Sequence, residues 1–235
     1  MVLVGFDTAT DDTAVCALRD DEVLFQSVLG LSEKGGPLHA TALLGEVERA
    51  VAASGGWKAV GSIAVGLGPG SFTGLRIGVS TAQALGLSCG LPVTGICTLD
   101  ALGRAIGDAA PGASRLAVLD AKRGELFAAL YSAGGERLWG PLVSPPDELA
   151  ERVGGKEDCP VGAGSGAVRF RQVLVNRGVA VPDDADPVHR IAARHICGLA
   201  AIRKDRDGAG PVAPIYLRPP DAERWRERDT PKAGR

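Results

Sequence analysis

Several residue types are scarce in this 235-residue chain, and each scarcity excludes a class of protein. Aromatic residues make up 4% of the sequence, which argues against a stacking platform for single-stranded nucleic acid. The formal net charge is −2, so no excess of one sign favours a nucleic-acid or membrane partner. No apolar run reaches the ~18 residues of a membrane-spanning helix, and no signal-peptide pattern opens the chain. We therefore expect a soluble, cytoplasmic protein.

Cysteine and histidine are few and widely spaced. The five cysteines include no Cys-x-x-Cys pair, which predicts free thiols rather than disulfides or a zinc site. His39, His189 and His195 include no pair at the spacing of three or four residues by which a helix binds a metal. The glycine-rich loop at residues 162–166 lacks the Gly-x-Ser-x-Gly spacing that places the nucleophile of serine hydrolases on a strand-to-helix turn. The sequence therefore predicts no metal site and gives no support to a protease.

The densest signal is a glycine-rich stretch at residues 66–78, Gly-Leu-Gly-Pro-Gly-Ser-Phe-Thr-Gly-Leu-Arg-Ile-Gly. An apolar run at 60–65 precedes it and a helical pattern at 75–87 follows, which predicts a loop between a buried strand and a helix. Ser71 or Thr73 is suited to cap that helix. The stretch has neither the lysine of a P-loop nor the glycine spacing of a dinucleotide site. A tight turn and a ligand-contacting loop both remain open.

The two halves of the chain share one order of predicted elements. The first reads as strands at 2–7, 13–19 and 23–29, a helix at 39–53, the strand at 60–65 and the helix at 75–87, with a short strand and helix at 92–106. The second reads as strands at 116–120, 126–131 and 137–143, a helix ending at 153, a strand at 161–163, a helix at 167–176 and a last helix at 188–204.

This duplication predicts an α/β fold of two ribonuclease H-like lobes with a cleft between them. Each lobe has the order βββαβα, and a C-terminal helix and tail follow. We expect the first lobe at 1–107, the second at 114–218, and a charged, partly disordered tail at 219–235.

Four segments together resemble the TsaB family. They are Asp7-Thr8-Ala9-Thr10 at the end of the first strand, His39 at the start of the first helix, residues 68–78, and Asp120-Ala121-Lys122-Arg123-Gly124-Glu125 in the second half. Their spacing matches over roughly the first half of the chain, and Pro214-Ile215-Tyr216-Leu217-Arg218 resembles the closing segment of the family. The resemblance implies the actin, Hsp70 and sugar-kinase superfamily, which is built from two ribonuclease H-like lobes.

The resemblance also implies a function. TsaB proteins are non-catalytic scaffold subunits in the bacterial synthesis of threonylcarbamoyladenosine, the modified adenosine beside the anticodon of some transfer RNAs. They pair with the transferase TsaD and work with the ATPase TsaE. The resemblance therefore implies no catalytic residue, metal or cofactor of the chain's own, with ATP or ADP as a candidate ligand at the TsaD interface. A homodimer through the N-terminal lobe is a further expectation, and contact with transfer RNA is expected to be indirect or weak.

The candidate nucleotide-contacting or interface residues come from the matching motifs. They are Asp7, Thr8, Thr10, Gly68, Pro69, Gly70, Ser71, Phe72, Thr73, Gly74, Arg76, Asp120, Lys122, Arg123 and Glu125. Asp7 and Asp120 end the first strand of each lobe, where related kinases and ATPases use carboxylates on a metal-bound phosphate. The residues alone leave open a second interpretation, in which these carboxylates accept hydrogen bonds from nearby backbone N–H groups.

Two further questions stay open from the sequence. Gly78, Ala82 and Gly86 share one face of helix 75–87, which suits either packing on the chain's own sheet or a helix-to-helix dimer contact. The resemblance places a dimer contact in this lobe. A small-molecule kinase or ATPase of the same superfamily is the alternative function, and residues 162–166 are its candidate loop for an adenosine pocket.

Overall fold

The computed structural model describes residues 1–154, 159–203 and 212–218. Within these residues, nine strands form two sheets: β1 (Val2–Asp7), β2 (Thr13–Arg19), β3 (Glu22–Leu29), β4 (Val60–Gly66) and β5 (Val93–Ile96), then β6 (Arg115–Asp120), β7 (Leu126–Tyr131), β8 (Arg137–Ser144) and β9 (Val161–Ala163). The helices are α1 (His39–Ala53), α2 (Phe72–Cys89), α3 (Thr98–Ala109), α4 (Pro146–Val153), α5 (Ser165–Arg169), α6 (Arg171–Val175) and α7 (Ala193–Ile202). Of the helices in this part of the chain, none combines the length and apolar character that a membrane crossing requires.

The two sheets share one arrangement of four strands, and the first sheet has β5 in addition. The strand order of the first is β3-β2-β1-β4-β5, in which β1 and β2 are antiparallel and β1 and β4 are parallel. The strand order of the second is β8-β7-β6-β9, in which β6 and β7 are antiparallel and β6 and β9 are parallel. β1 and β6 are therefore equivalent, and Asp7 and Asp120 end them at corresponding positions. This repeat confirms the predicted pair of ribonuclease H-like lobes.

β1 is buried along its whole length because helices cover both faces of the first sheet. α1 and α2 pack on one face, where Phe6, Leu43 and Val79 share a core. α7 packs on the other face, where Leu3 and Ile196 share a second core. A strand buried on both faces has to be apolar at nearly every position, which explains why β1 shows no alternation of polar and apolar residues.

The helices α3 and α7 each pack on the sheet formed by the other half of the chain. α3 follows the first sheet in the sequence, but Leu99, Leu102 and Ile106 lie in the core of the second sheet with Leu119. α7 follows the second sheet, but it packs on the first. The lobes therefore exchange helices on the side where they meet. The division of the chain near residues 107–114 stays a prediction, and the predicted tail at 219–235 lies outside the described residues.

Two predicted helices of the second half are wrong in extent. In place of the single helix predicted at 167–176, the structure has two short helices, α5 and α6, which meet at Phe170. The prediction at 188–204 is a 3₁₀ turn at Pro187–His189 followed by α7, and its last residue lies outside the described part of the chain. The Asp186 carboxylate accepts from the Val188 N–H, and Arg190 is extended, so the helical pattern is interrupted before α7 begins.

His195 is a buried titratable side chain on α7. Its side chain is 4% exposed, and its Nδ1 lies 3.5 Å from the Asp108 carboxylate on α3. Its Nε2 finds no hydrogen-bond partner among the described residues. Burial, reinforced by Arg194 and Arg104, lowers the pKa of His195 to about 4 in spite of the opposing effect of Asp108.

We expect acid to destabilise the fold through His195. Its folded-state pKa of about 4 lies below the ordinary value of 6.5, so the unfolded chain takes up the proton first as the pH falls below 6.5. Between pH 7.5 and pH 5 this proton uptake should lower the free energy of unfolding by about 2 kcal/mol. Urea unfolding at several pH values should show that His195→Gln lacks this component. The same pH dependence in both proteins would contradict the prediction, because all other titrating groups are shared.

Candidate functional site

A cavity of about 710 Å³ opens between the two lobes, where β1 and β6 end. This volume falls in the range of about 300–1,000 Å³ that is typical of small-molecule sites. The turns after β1 and β6, the first residues of α2 and residues 215–218 contribute to its walls. The predicted site residues that line the cavity are Thr10, Gly70, Ser71, Phe72, Thr73, Asp120, Lys122 and Arg123.

The other predicted site residues lie behind or beside the cavity. Asp7, Thr8, Gly68, Pro69 and Gly74 are buried in the first lobe. Arg76 is exposed on α2, with its guanidinium carbon 4.3 Å from the centroid of the Phe72 ring. Glu125 forms an ion pair with Arg218. The predicted site residues therefore lie close together, but only some of them line the cavity.

The Asp7 carboxylate is fully buried and hydrogen-bonded within the first lobe. Its Oδ1 accepts from the Ala9 N–H at 2.8 Å, and its Oδ2 accepts from the Thr98 hydroxyl at 2.7 Å. The same Thr98 oxygen accepts from the Gly68 N–H at 3.0 Å. Burial raises the pKa of Asp7, although both hydrogen bonds act to lower it. This arrangement matches the second interpretation of Asp7, in which the carboxylate organises the turns around it.

The glycine-rich stretch packs directly on the turn after β1. The Ser71 N–H donates to the Ala9 carbonyl at 2.7 Å, and the Thr8 hydroxyl donates to the Gly74 carbonyl at 2.7 Å. A Cβ atom on Gly70 would overlap the Ala9 carbonyl oxygen, and one on Gly74 would overlap that of Thr8. Ser71 caps α2, as predicted, by accepting from the Gly74 N–H at 3.2 Å. Contact within the chain is therefore enough to require glycine at these two positions.

The stripe of small residues on α2 faces the interior of its own lobe. Ala82 is fully buried, and a Cβ atom on Gly78 or Gly86 would collide with the side chain of Thr8 or Val93. The small residues let α2 approach the first sheet closely. Of the two possibilities that the sequence left open for Gly78, Ala82 and Gly86, the dimer contact is therefore wrong, since all three positions are buried within their own lobe.

Ion pairs connect the two lobes across the cavity. Arg190 donates two hydrogen bonds, at 2.8 and 2.7 Å, to the Asp12 carboxylate in the turn after β1. Lys122 Nζ lies 3.3 Å from an Asp11 oxygen in the same turn. The contact with Asp12 raises the pKa of Arg190. Both acidic side chains of this turn are therefore paired with cations of the same chain.

Asp120 lies at the cavity wall, unlike its counterpart Asp7. Its carboxylate accepts from the Lys122 N–H at 2.8 Å and from the Arg169 guanidinium at 2.7 Å. Its own N–H donates to the Ser165 hydroxyl at 3.1 Å. The two equivalent aspartates therefore have different surroundings, and a phosphate or nucleotide contact at Asp120 stays a prediction.

Two of the histidines are held by hydrogen bonds within the chain. His39 Nε2 lies 3.0 Å from the Thr10 carbonyl, so it carries the proton, and Nδ1 accepts from the Thr13 hydroxyl at 2.8 Å. Burial lowers the pKa of His39. His189 Nδ1 accepts from the Gly164 N–H at 3.1 Å. Among the described residues, no group of three or more histidine, cysteine, aspartate or glutamate side chains could hold a metal ion.

Sequence reasoning missed Arg190 and Arg169 as partners of the cavity aspartates. Each is distant in the sequence from the carboxylate that it contacts, and neither belongs to a local motif, so no sequence signal could have identified them. Tyr216 and Arg218 also line the cavity. The sequence signal for these two residues was the resemblance of residues 214–218 to the closing segment of a known family.

Gly70→Ala should destabilise the protein by about 3 kcal/mol or more, because the new Cβ requires a shift of the backbone around Ala9. Gly45→Ala is the matched control. Gly45 lies on the exposed side of α1 with open space at its Cβ position, so alanine should be neutral or stabilise by up to ~1 kcal/mol. Denaturant unfolding measures both variants. Wild-type stability of Gly70→Ala would contradict the close packing.

Comparison with known proteins places these features in a family. The family model described as TsaD, tRNA N6-adenosine threonylcarbamoyltransferase, matches residues 33–172. An uncharacterized protein of Mycobacterium tuberculosis is 34% identical over 224 residues, which cover 94% of this chain and 93% of that protein. The tRNA threonylcarbamoyladenosine biosynthesis protein TsaB of Escherichia coli is 32% identical over 158 residues, which cover 65% of this chain and 66% of TsaB.

Solved structures agree with the sequence relatives. YeaZ from Pseudomonas aeruginosa superposes with a TM-score of 0.75 at 27% identity, covering 92% of this chain and 99% of YeaZ. A ROK hexokinase from Thermus thermophilus superposes with a TM-score of 0.51 at 15% identity, covering 86% of this chain and 99% of the hexokinase, and this likeness concerns the fold alone. The glycine-rich motif, the paired lobes and these relatives together show that the chain belongs to the TsaB/YeaZ family.

Proposed function

We propose that this chain is a non-catalytic subunit of the cytoplasmic machinery that makes threonylcarbamoyladenosine in transfer RNA. In this proposal it pairs with the transferase TsaD and works with the ATPase TsaE. The name of the Escherichia coli relative supports the pathway, and the match to a TsaD model supports a partner of related fold.

The burial of Asp7 carries the non-catalytic part of the proposal. A carboxylate that handles a metal-bound phosphate has to reach the ligand, whereas both oxygens of Asp7 accept hydrogen bonds inside the lobe. At the cavity, Asp11, Asp12 and Asp120 are already paired with Lys122, Arg190 and Arg169. A metal–phosphate complex would have to displace Arg190 and Arg169 first, and removing the paired cation from a largely buried carboxylate is unfavourable.

The exposed face of α1 and α2 is the surface that we assign to TsaD. Leu44 on α1 is 58% exposed and Leu87 on α2 is 87% exposed, and the exposed Gly45 and Ala84 leave room for close helix approach. The TsaD model matches residues 33–172, which include both helices, so TsaD has counterparts of them. Two related chains can then pair through equivalent faces. This face replaces the buried stripe of α2 as the contact surface.

Two finer assignments belong to the same proposal. ATP or ADP binds at the interface with TsaD, and this chain has no cofactor of its own. When TsaD is absent, a homodimer forms through the same face of α1 and α2. Both assignments rest on the resemblance of the motifs, and contact with transfer RNA is made chiefly by the partner.

Leu87→Arg should weaken binding to TsaD at least ten-fold, which corresponds to about 1.4 kcal/mol, because it buries a charge in an apolar contact. Leu138→Arg is the matched control, since Leu138 is 55% exposed on β8 of the second lobe. Calorimetric titration of each variant with TsaD of the same organism measures the loss. Equal binding by Leu87→Arg and wild type would contradict the assigned face.

The same proteins test the role in modification. With TsaD, TsaE, threonylcarbamoyl-adenylate and transfer RNA, product formation should require this chain and should fall with Leu87→Arg in proportion to lost binding. Asp120→Asn should keep both binding and product formation. Loss of product with normal TsaD binding in Asp120→Asn would contradict the non-catalytic role and favour the kinase or ATPase alternative.

A further inference from the structure

We propose that residues 212–218, which we call the clasp, hold the two lobes at a fixed separation and close one side of the cavity. This inference concerns the isolated chain and does not rest on the proposed function. The clasp has no regular secondary structure, and its anchors lie on both lobes.

The beginning of the clasp is anchored to the first lobe. The Val212 carbonyl accepts from Gln83 Nε2 of α2 at 2.7 Å, and the Val212 side chain packs against the core under α1 and α2. The Ile215 N–H donates to the Leu67 carbonyl, just after β4, at 2.7 Å. Two backbone groups of the clasp are therefore tied to the part of the chain that contains the glycine-rich stretch.

An aromatic contact adds a third anchor on the same lobe. The Tyr216 ring lies with its centroid 5.1 Å from that of Phe72, at a tilt of 36°. The Arg76 guanidinium also contacts the Phe72 ring, at 4.3 Å. Phe72 is the first residue of α2, so this contact joins the clasp to the beginning of that helix.

The end of the clasp is anchored to the second lobe. The Arg218 guanidinium forms an ion pair with Glu125 and donates to the Ala121 carbonyl at 2.9 Å. Both acceptors lie in the turn that follows β6. The side chains of Ile215 and Leu217 pack against the core of the second lobe. Arg218 is largely buried, so its contacts are less screened by solvent than those of the exposed Lys122–Asp11 pair.

These anchors restrict the opening of the cavity. Residues 215–218 form part of the cavity wall. The anchors at Ile215 and Arg218 are only three residues apart, so the chain between them can span at most about 11 Å. A wider opening therefore has to break either the contacts at Leu67 and Phe72 or those at Ala121 and Glu125. The clasp thus couples the start of α2 to the turn after β6.

The native cysteines allow a direct test on the full chain. Cys89 at the end of α2 and Cys159 in the second lobe are exposed, whereas Cys16, Cys97 and Cys197 are buried. Spin labels on the two exposed thiols report one distance between lobes by electron paramagnetic resonance. Dilution with excess unlabelled chain restricts the signal to distances within one molecule. Tyr216→Ala and Arg218→Ala are the test variants. Arg177→Ala, which breaks the Arg177–Glu151 ion pair within the second lobe, is the control.

Wild type and Arg177→Ala should give one narrow distance distribution, and the clasp variants should add a population at longer distance. Unchanged distributions in both clasp variants would overturn the proposal, as would equal broadening in Arg177→Ala. Circular dichroism checks that each variant is folded. If both clasp variants fail to fold, hydrogen exchange on the unmodified chain decides. The Ile215 amide should be protected, and exchange at the rate of an unstructured peptide would overturn the proposal.

Discussion

The buried carboxylate of Asp7 determines where three parts of the first lobe meet. It receives hydrogen bonds from the turn after β1 and from Thr98 at the start of α3, and Thr98 in turn holds Gly68 of the loop after β4. A buried carboxylate without partners would be strongly unfavourable, so these contacts specify one arrangement of the three segments. The position of the glycine-rich stretch on the turn after β1 depends on that arrangement, and so does the direction in which α2 leaves the loop.

The use of this carboxylate distinguishes the two lobes, although their sheets share one arrangement of four strands. At the end of β1 the carboxylate is used internally, whereas at the end of β6 Asp120 faces the cavity and is paired with Arg169. The acidic turn after β1 is likewise paired with Arg190 and Lys122. These acidic side chains at the cavity are therefore engaged in contacts within the chain. The exposed Leu44 on α1 and Leu87 on α2 lie away from these contacts, on the surface that we propose for TsaD.

Sequence patterns predicted the fold well where periodicity or a motif acts locally, as in β1, α1, and α2 with its Ser71 cap. They did not predict that α3 and α7 exchange lobes, because that exchange depends on packing between distant segments. The predicted site residues do lie at or next to one cavity, because residues of one motif are close together in the chain and therefore in space. The partner Arg190 could not be predicted, because an ion pair across the cleft has no local signature. The sequence could not assign the stripe of small residues on α2, because the same spacing suits packing on the chain's own sheet or on a partner.

Hydrogen exchange at the amides of Ala9, Gly68 and Ser71 tests most directly whether the glycine-rich stretch is held by internal packing. All three amides donate within the network around Asp7 and the turn after β1. We predict that they exchange as slowly as the amides of β1, through global unfolding of the lobe. Fast exchange of Gly68 and Ser71, with β1 still protected, would show a loop that opens independently. That result would contradict the internal role of the stretch and indicate a loop kept free for a ligand.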